Sequence, residues 1–110
     1  MGKFVITKGK NGEFYFNLKA TNGQVILTSE GYKTLANCKN GIESVMKNSA
    51  KESSFEKKVS TNGKPYFSLK ATNGQSIGRS ELYESVAARD NGIASVQKNA
   101  PGATIEDLSA

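Results

Sequence analysis

The N-terminal part of the chain alternates between apolar and polar side chains, and this alternation predicts a β-strand. The apolar positions of this stretch are Phe14, Phe16, Leu18 and Ala20. Because successive side chains of a strand point to opposite faces, the polar residues between them should share the other face. Asn-Gly pairs precede and follow the strand, and they supply the positive φ that tight hairpin turns need. We therefore predict a three-stranded meander with flanking strands near Lys3–Lys8 and Gln24–Ser29.

Beyond the meander the apolar period changes to about 3.6 residues, which predicts a helix. The apolar positions share one helical face and are Leu35, Cys38, Ile42, Val45 and Met46. Thr34 is a suitable N-cap, because its hydroxyl can accept from the free N–H groups of the first turn. Lys47 complements the helix dipole in the last turn, and Asn48 can end the helix.

The whole pattern then returns at a constant offset of 51 residues, as from Phe16 to Phe67. The repeated segments are residues 14–24 with 65–75, 29–32 with 80–83, and 40–45 with 91–96. A small polar segment, residues 49–54, joins the two copies. Such self-similarity over most of a chain indicates a tandem duplication.

The second copy of the helix has a less regular apolar stripe than the first. Ser85 is its expected N-cap, and Lys98, Asn99 and Pro101 mark its end. The positions that match the stripe are Val86, Arg89, Ile93, Val96 and Gln97. Because Arg89 and Gln97 interrupt the stripe, we expect this helix to have a narrower apolar face or to be partly exposed. The alternating tail 104–108 can form a short closing strand.

These elements predict an α+β fold made of two tandem β-β-β-α(-β) repeats, residues 3–50 and 54–108, within one domain of residues 1–110. Each repeat alone has too little core to be secure, so we expect one shared antiparallel sheet with both helices on one face. A pseudo-twofold axis should relate the repeats. The expected core is Phe4, Phe16, Leu18, Ile26, Ile42 and Val45 with Phe55, Phe67, Leu69, Ile77, Ile93 and Val96.

Composition and charge say more about the cellular location and oligomeric state of the protein than about its function. The chain has 110 residues, of which 36% are hydrophobic and 23% charged, and its net charge is +5. The charge permits anionic partners, but the cations are dispersed and nearly all are Lys, whereas phosphate-clamping surfaces usually use Arg. The single Cys38 allows no internal disulfide, and no apolar stretch suits a signal peptide or a membrane span. We therefore expect a cytoplasmic, non-membrane protein that is a monomer with an internal pseudo-dimer.

The residues that usually carry catalysis are poorly represented. The chain has no His, and Cys38 is replaced by Arg89 in the second copy. Cys38 on the apolar stripe is therefore better explained as an inert core thiol. Ser29-Glu30 and Ser80-Glu81 suit a turn or capping role better than a nucleophile with its base. The acidic residues lack the spacing of a metal loop. We predict no enzyme activity, no cofactor and no metal.

Two features recur in both copies without an obvious core role. Gly41 and Gly92 lie inside the helical pattern, where Gly costs roughly 1 kcal/mol relative to Ala. Close packing against the sheet or the other helix explains them better than a ligand contact. Tyr32 and Tyr83 precede the helices, and we expect their rings to anchor the strand-to-helix loops while the hydroxyls stay wet.

The polar face of the middle strands is the best candidate for binding. Tyr15, Asn17 and Lys19 match Tyr66, Ser68 and Lys70. A solvated face is one interpretation. Protein or self-association is the second, and stacking with neutralisation of single-stranded nucleic acid is the third. The candidate partner-binding residues are therefore Tyr15, Lys19, Tyr66 and Lys70, together with Tyr32 and Tyr83.

The repeated unit resembles the YegP-like family of small bacterial proteins. The residues that carry the resemblance are Phe16–Ala20, Asn22–Gly23, Ser29–Tyr32 and Gly41–Val45, with their counterparts in the second copy. The resemblance covers nearly the whole chain. It implies a β-β-β-α-β unit, present twice in one chain or as a dimer, and one shared sheet in which C-terminal strands are exchanged between units. It implies no biochemical role.

Function is therefore left as two alternatives. A non-enzymatic protein-interaction or structural module is the first, because two sheet units are paired and no catalytic group stands out. Weak binding of nucleic acid or another polyanion through the Tyr/Lys face is the second. A steep dependence of affinity on salt would separate the second from the first.

Overall fold

A computed structural model describes residues 2–109 as seven strands and two helices. The first repeat contains β1 (Lys3–Lys8), β2 (Phe14–Lys19), β3 (Val25–Ser29) and α1 (Leu35–Asn48). A short 3-10 turn, Glu52–Ser54, leads into the second repeat. That repeat contains β4 (Phe55–Val59), β5 (Pro65–Lys70), β6 (Ser76–Arg79), α2 (Val86–Asn99) and β7 (Thr104–Asp107). The α+β fold with two repeated units is as predicted.

One seven-stranded sheet runs through both repeats in the order β4-β5-β6-β3-β2-β1-β7. The repeats meet where β3 and β6 pair antiparallel, with Thr28 opposite Arg79. Those two residues are equivalent in the duplication, so the pairing places a pseudo-twofold axis between them. The expected relation between the repeats is thereby confirmed.

The prediction of a wholly antiparallel sheet is wrong at one edge, where β7 pairs parallel to β1. The backbone N–H of Gly2 donates to the carbonyl of Asn99 (3.3 Å), and Thr104 donates to Gly2 (3.3 Å). The chain therefore leaves α2 beside the start of β1 and must run in the same direction as that strand. The last strand of the second repeat thus completes the sheet of the first, as strand exchange requires.

Both helices pack on one face of the sheet and close a single core. α1 contacts β2 and also β5 and β6 of the other repeat, while α2 contacts β5 and reaches β3. All twelve residues of the expected core are buried, and one continuous cluster contains them. The cluster also takes in residues that the pattern did not single out, Ile6, Leu27, Ala100 and Ala103. The core is therefore pooled between the repeats.

A matching side-chain hydrogen bond links the end of each helix to the other repeat. Asn48 at the end of α1 accepts from the Thr72 hydroxyl (3.3 Å), and Asn99 at the end of α2 accepts from Thr21 (3.3 Å). Each Asn amide also donates to a carbonyl one turn back in its own helix (2.8 Å). These asparagines end the helices, as predicted, and they also link the repeats.

The hairpin turns place positive φ on the glycines alone. Gly12, Gly23, Gly63 and Gly74 have φ between 82° and 86°, and among residues 2–109 no other residue type has positive φ. In the first hairpin Gly12 N–H donates to Gly9 (3.0 Å), and Gly9 N–H donates to Glu13 (2.8 Å). This is a type I turn followed by a glycine bulge, one residue longer than the tightest hairpin turn.

The expectation of a narrower or partly exposed second helix is wrong at the two residues that interrupt the stripe, because Arg89 is buried and Gln97 is half-buried like its counterpart in α1. The helix is more exposed than α1 at its first residue. Val86 is 55% exposed, whereas its counterpart Leu35 packs against the core. Arg89, however, is only 8% exposed and donates to the Asp90 carboxylate from Nε and a guanidinium NH₂ nitrogen (both 3.3 Å). A long aliphatic stem allows a cation to cover apolar surface while its head is paired.

The two edges of the sheet are also unlike each other. β7 covers β1, but no strand among the described residues covers β4. The duplication shows why, because the segment equivalent to β7 is residues 53–56, which form the end of the 3-10 turn and the start of β4.

Neither helix in the described part of the chain is long and apolar enough to cross a membrane.

The pooled core generates a prediction about stability. Phe67→Ala, or the equivalent Phe16→Ala, should lower the free energy of unfolding by about 3–5 kcal/mol, because both rings are fully buried. Each change should destabilise both repeats together, so that they unfold in one cooperative transition. Calorimetry and far-UV circular dichroism measure this transition. Val59→Ala is the control, since Val59 is 64% exposed and its loss should change stability little. Two separate transitions in either Phe variant would contradict a pooled core.

Candidate functional site

The helix-free side of the sheet brings the four central candidates onto one surface, which we call the open face. Phe16 and Leu18 of β2 are fully buried beneath the helices, so Tyr15, Asn17 and Lys19 between them point to the other side. The same alternation in β5 places Tyr66, Ser68 and Lys70 there. Two strands separate β2 from β5, so the two sets lie roughly 14 Å apart across the sheet.

Ion pairs occupy part of the open face. Lys70 Nζ lies 3.0 Å from Glu56 Oε1, and Lys58 Nζ lies 3.4 Å from the same oxygen. The hydrogen bond from Lys70, followed by the charges of both lysines, holds the pKa of Glu56 below its usual range. Lys3 pairs with Glu106 across β1 and β7 (3.3 Å). Lys70 is therefore not a free cation.

Two other cations of the open face have no acidic partner within residues 2–109. Lys19 forms no ion pair there, and neither does Arg79 of β6, which lies opposite both Thr28 and Ser68. Sequence reasoning did not propose Arg79 as a site residue. The one signal that pointed to it was its place in the duplication, where Arg replaces Thr28.

Tyr15 is held in place by the first hairpin and the β3–α1 loop. A Cβ atom added to Gly9 would lie 2.9 Å from the Tyr15 ring, and one added to Gly31 would lie 3.1 Å from it. The Asn11 amide donates to the Tyr15 hydroxyl (3.1 Å). The ring is therefore half-buried and fixed, which lowers the entropy cost of presenting it to a partner.

Tyr32 and Tyr83, the other two candidates, lie on the opposite side of the sheet from the open face. Tyr32 stacks on Phe16 with ring centroids 6.2 Å apart, and Tyr83 stacks on Phe67 at 6.3 Å. Burial raises the pKa of both phenols above their usual range. For Tyr32 the pKa is raised further by the Cys38 thiolate where that group ionises at high pH and by the charge of Glu30, and for Tyr83 by the charge of Glu81. The structure thus separates these two tyrosines from the other four candidates.

Gly41 and Gly92 leave the space in each helix that the tyrosine hydroxyl occupies. A Cβ atom on Gly41 would be 2.4 Å from the Tyr32 hydroxyl oxygen, and one on Gly92 would be 2.3 Å from that of Tyr83. Real Cβ contacts are not this short, so no larger residue fits without a shift. Phe, Tyr and Gly therefore form one layered contact in each repeat. The expectation of close packing is confirmed.

The Ser-Glu pairs serve the backbone. Ser29 Oγ accepts from the Phe16 N–H (2.8 Å) and donates to the Glu30 carbonyl (2.8 Å). Ser80 makes the same pair of bonds, to Phe67 (3.0 Å) and Glu81 (2.8 Å). Both hydroxyls are buried and both of these interactions close the end of a strand. The predicted turn role is confirmed.

Cys38 lies in the shared core, fully buried. Burial raises the pKa of its thiol to about 11, and the negative charge of Asp107 contributes in the same direction. The group is therefore a neutral thiol at pH 7. Among residues 2–109, no cluster of three or more Cys, Asp or Glu side chains is arranged to hold a metal ion.

Comparisons with known proteins identify close relatives. A family model described as a domain of unknown function (DUF1508) matches residues 10–56 and 60–107. The UPF0339 protein YegP of Yersinia pestis is 52% identical over 109 residues, 99% of this chain and 97% of that protein. A solution NMR structure of a UPF0339 protein from Shewanella oneidensis has a TM-score of 0.93 and 53% identity, covering 98% of this chain and 92% of that one.

A second solution NMR structure, of yegP from E. coli, is described as that of a protein of unknown function. Its TM-score is 0.94 at 45% identity, and the match covers 99% of this chain and 94% of that chain. The similarity to both structures supports the α+β fold with its repeated unit. The descriptions of these relatives assign no activity.

The layered contact yields a second prediction. Gly41→Ala should lower the free energy of unfolding, because the roughly 1 kcal/mol gained in helix propensity is outweighed by an overpacking cost of about 1–3 kcal/mol. Tyr32→Phe removes the nearest atom, so in that background the same Gly41→Ala change should cost less. A double-mutant cycle in urea measures the difference. Stabilisation by Gly41→Ala alone would contradict the packing argument.

A third prediction concerns Cys38. At pH 8 iodoacetamide should alkylate the folded protein roughly two orders of magnitude more slowly than the urea-unfolded chain, because a pKa of about 11 instead of about 8.5 leaves little thiolate. A thiol whose pKa is raised by folding contributes stability below about pH 8.5, and that contribution is lost as pH rises towards 11. Cys38→Ala, which cannot be labelled, is the control for both readouts. Rapid alkylation of the folded chain would restore the case for a reactive thiol.

Proposed function

The chain belongs to the DUF1508 family, and we propose that it is a non-enzymatic binding module that holds a partner protein against the open face of its sheet. One observation carries the proposal. The pairing of β3 with β6 joins the two Tyr/Lys sets into one surface instead of leaving them on separate units. A duplicated motif on one continuous surface can contact one partner at two places.

The chemistry of the open face supports a protein partner. Tyrosine is enriched in the cores of protein interfaces, where its ring gives contact area and its hydroxyl bonds. At the β1–β7 edge a groove of about 460 Å³ adds the apolar side chain of Leu108, which is 57% exposed, above the buried Val5. Glu56 and Glu106 bring negative charge to the same face, so the surface carries both signs. Protein surfaces carry both signs, whereas a nucleic-acid backbone carries only one.

Polyanion binding is the second candidate, and one observation favours it. Lys19 and Arg79 stand on the open face without acidic partners in the described part of the chain. With a net charge of +5, the protein attracts polyanions at low salt. Such binding would be weak, because few cations of the face are free to neutralise phosphates.

The proposal extends to the setting of the protein. We infer a cytoplasmic monomer, supported by a free thiol in the core and by the two repeats that supply each other's missing half. A non-enzymatic binding role is supported by the structural roles of the hydroxyl and thiol groups. The Ser29 and Ser80 hydroxyls close strand ends, and the Cys38 thiol is inaccessible.

Charge reversal on the open face tests the proposal and is a fourth prediction. Lys19→Glu with Lys70→Glu should abolish capture of the partner from extracts of the native host, measured by quantitative mass spectrometry. The thermal midpoint should fall by less than about 5 °C, because exposed ion pairs contribute little to folding. Nuclease treatment in parallel separates a protein partner, which stays bound, from one bridged by nucleic acid.

Lys47→Glu with Lys98→Glu is the matched control. These lysines are equivalent in the two repeats, exposed, and in the last turns of the helices on the other side of the sheet. The control should capture the same proteins as the unchanged chain. Equal capture by all three forms would reject the open face as a binding surface, and loss of capture after nuclease would favour the polyanion alternative.

A further inference from the structure

A cleft at one end of the open face is closed in the first repeat and open in the second. In both repeats it lies where the first hairpin approaches the loop between the third strand and the helix. In the first repeat the Tyr15 ring fills this space against Gly9 and Gly31. The Glu13 carboxylate covers it as well, since a Cβ on Gly31 would lie within 2.3 Å of that group.

Substitutions in the second repeat undo this closure. Ser60 replaces Gly9 and Leu82 replaces Gly31, so neither segment can lie against the tyrosine ring in the same way. The Asn62 side-chain oxygen accepts from Ser60, whereas its counterpart Asn11 bonds Tyr15. Lys64 replaces Glu13 and turns away to pair with Glu84 (2.6 Å). A cleft of about 560 Å³ is left beside Tyr66.

The cleft has a mixed lining, in which apolar side chains alternate with the hydroxyl residues Ser60, Thr61 and Ser80 and with one charge of each sign. Val59 and Leu82 are 64% and 46% exposed, and the Tyr66 ring lies between β4 and β6. Arg79 and Glu81 line the same cleft. Within residues 2–109, Arg79 has no carboxylate partner and Glu81 has no cationic one. A volume in this range is typical of small-molecule sites.

We propose that this cleft binds a small zwitterion with an apolar side chain, that is, a free aliphatic or aromatic amino acid. Arg79 receives the carboxylate, since a guanidinium matches carboxylate geometry with two parallel N–H donors. Glu81 receives the ammonium group. Val59, Leu82 and the Tyr66 ring cover the side chain. The inference does not require the open face to hold a partner.

The charge pattern selects this class over neighbouring ones. An apolar carboxylate without an amino group would pair with Arg79 but leave Glu81 beside a like charge. An apolar amine without a carboxylate would pair with Glu81 but place its positive charge beside Arg79. A zwitterion meets both rim charges at once, and Thr28 at the position of Arg79 gives the first repeat no such pair. The cleft is therefore closed in the first repeat and open in the second, at equivalent positions of the duplication.

Titration of the full chain with defined probes, followed by amide NMR shifts, tests the proposal. L-leucine or L-phenylalanine should produce saturable shifts at Val59 and at residues 79–82. Glycine lacks the apolar side chain, N-acetyl-L-leucine lacks the ammonium group, and L-leucinamide lacks the carboxylate. Each should bind at least about tenfold more weakly, because each loses one of the three contacts. Equal shifts with glycine, or equal shifts around Tyr15, would overturn the proposal.

The first repeat supplies the matched variants. Arg79→Thr and Leu82→Gly install the residues of Thr28 and Gly31, so each exchanges an exposed side chain for one that the same fold already accepts. Each should reduce affinity for L-leucine at least about tenfold while leaving the amide shifts of β1, β2 and α1, which do not pair with β6, unchanged. Unchanged affinity in both would overturn the site. Because Lys19→Glu with Lys70→Glu should leave leucine binding intact, failure of this inference is distinguishable from failure of the proposed function.

Discussion

The pairing of β3 with β6 is the interaction on which the rest of the structure depends. A unit of about 50 residues buries a smaller fraction of its surface than a larger domain does and is marginal alone. α1 therefore packs on β5 and β6, and α2 on β3, across the junction. Gly78 permits the approach, because a Cβ there would lie 2.7 Å from the Thr28 carbonyl oxygen, although the equivalent residue of the first repeat is Leu27. The duplication thus kept the pseudo-twofold arrangement but departed from identity where the two strands touch.

A shared core also explains which positions were kept. Most buried apolar residues of one repeat have an apolar counterpart in the other, as with Phe16 and Phe67, and all of them lie in one cluster. One exception is the buried Ile6, whose counterpart lies on the uncovered edge strand. β4, which lacks the cover that β7 gives β1, carries Lys57 and Lys58 where β1 has Ile6 and Thr7. Charged side chains on an uncovered edge discourage pairing with other chains, so these changes suit an edge that stays open.

Local patterns predicted the local structure well. The Asn-Gly pairs, the alternation in β2 and the hydroxyl caps Thr34 and Ser85 are short-range signals, and the strands, turns and helix starts follow them. The parallel β1–β7 pair joins residues 3 and 104, and no local period encodes such a partner. For the same reason, the sequence could group Tyr32 with Tyr15 but could not show that they lie on opposite sides of the sheet. The ion pair of Lys70 with Glu56 likewise depends on which strands are neighbours.

The β1–β7 pair has a consequence for biosynthesis. β1 is translated about a hundred residues before β7, the strand that covers its outer edge. Throughout synthesis that edge presents unpaired backbone groups between the apolar side chains of Phe4 and Ile6. Contacts of such long sequence separation also slow folding, because the closing loop spans nearly the whole chain. A nascent or truncated chain that stops before β7 therefore exposes the edge that β7 covers in the folded protein.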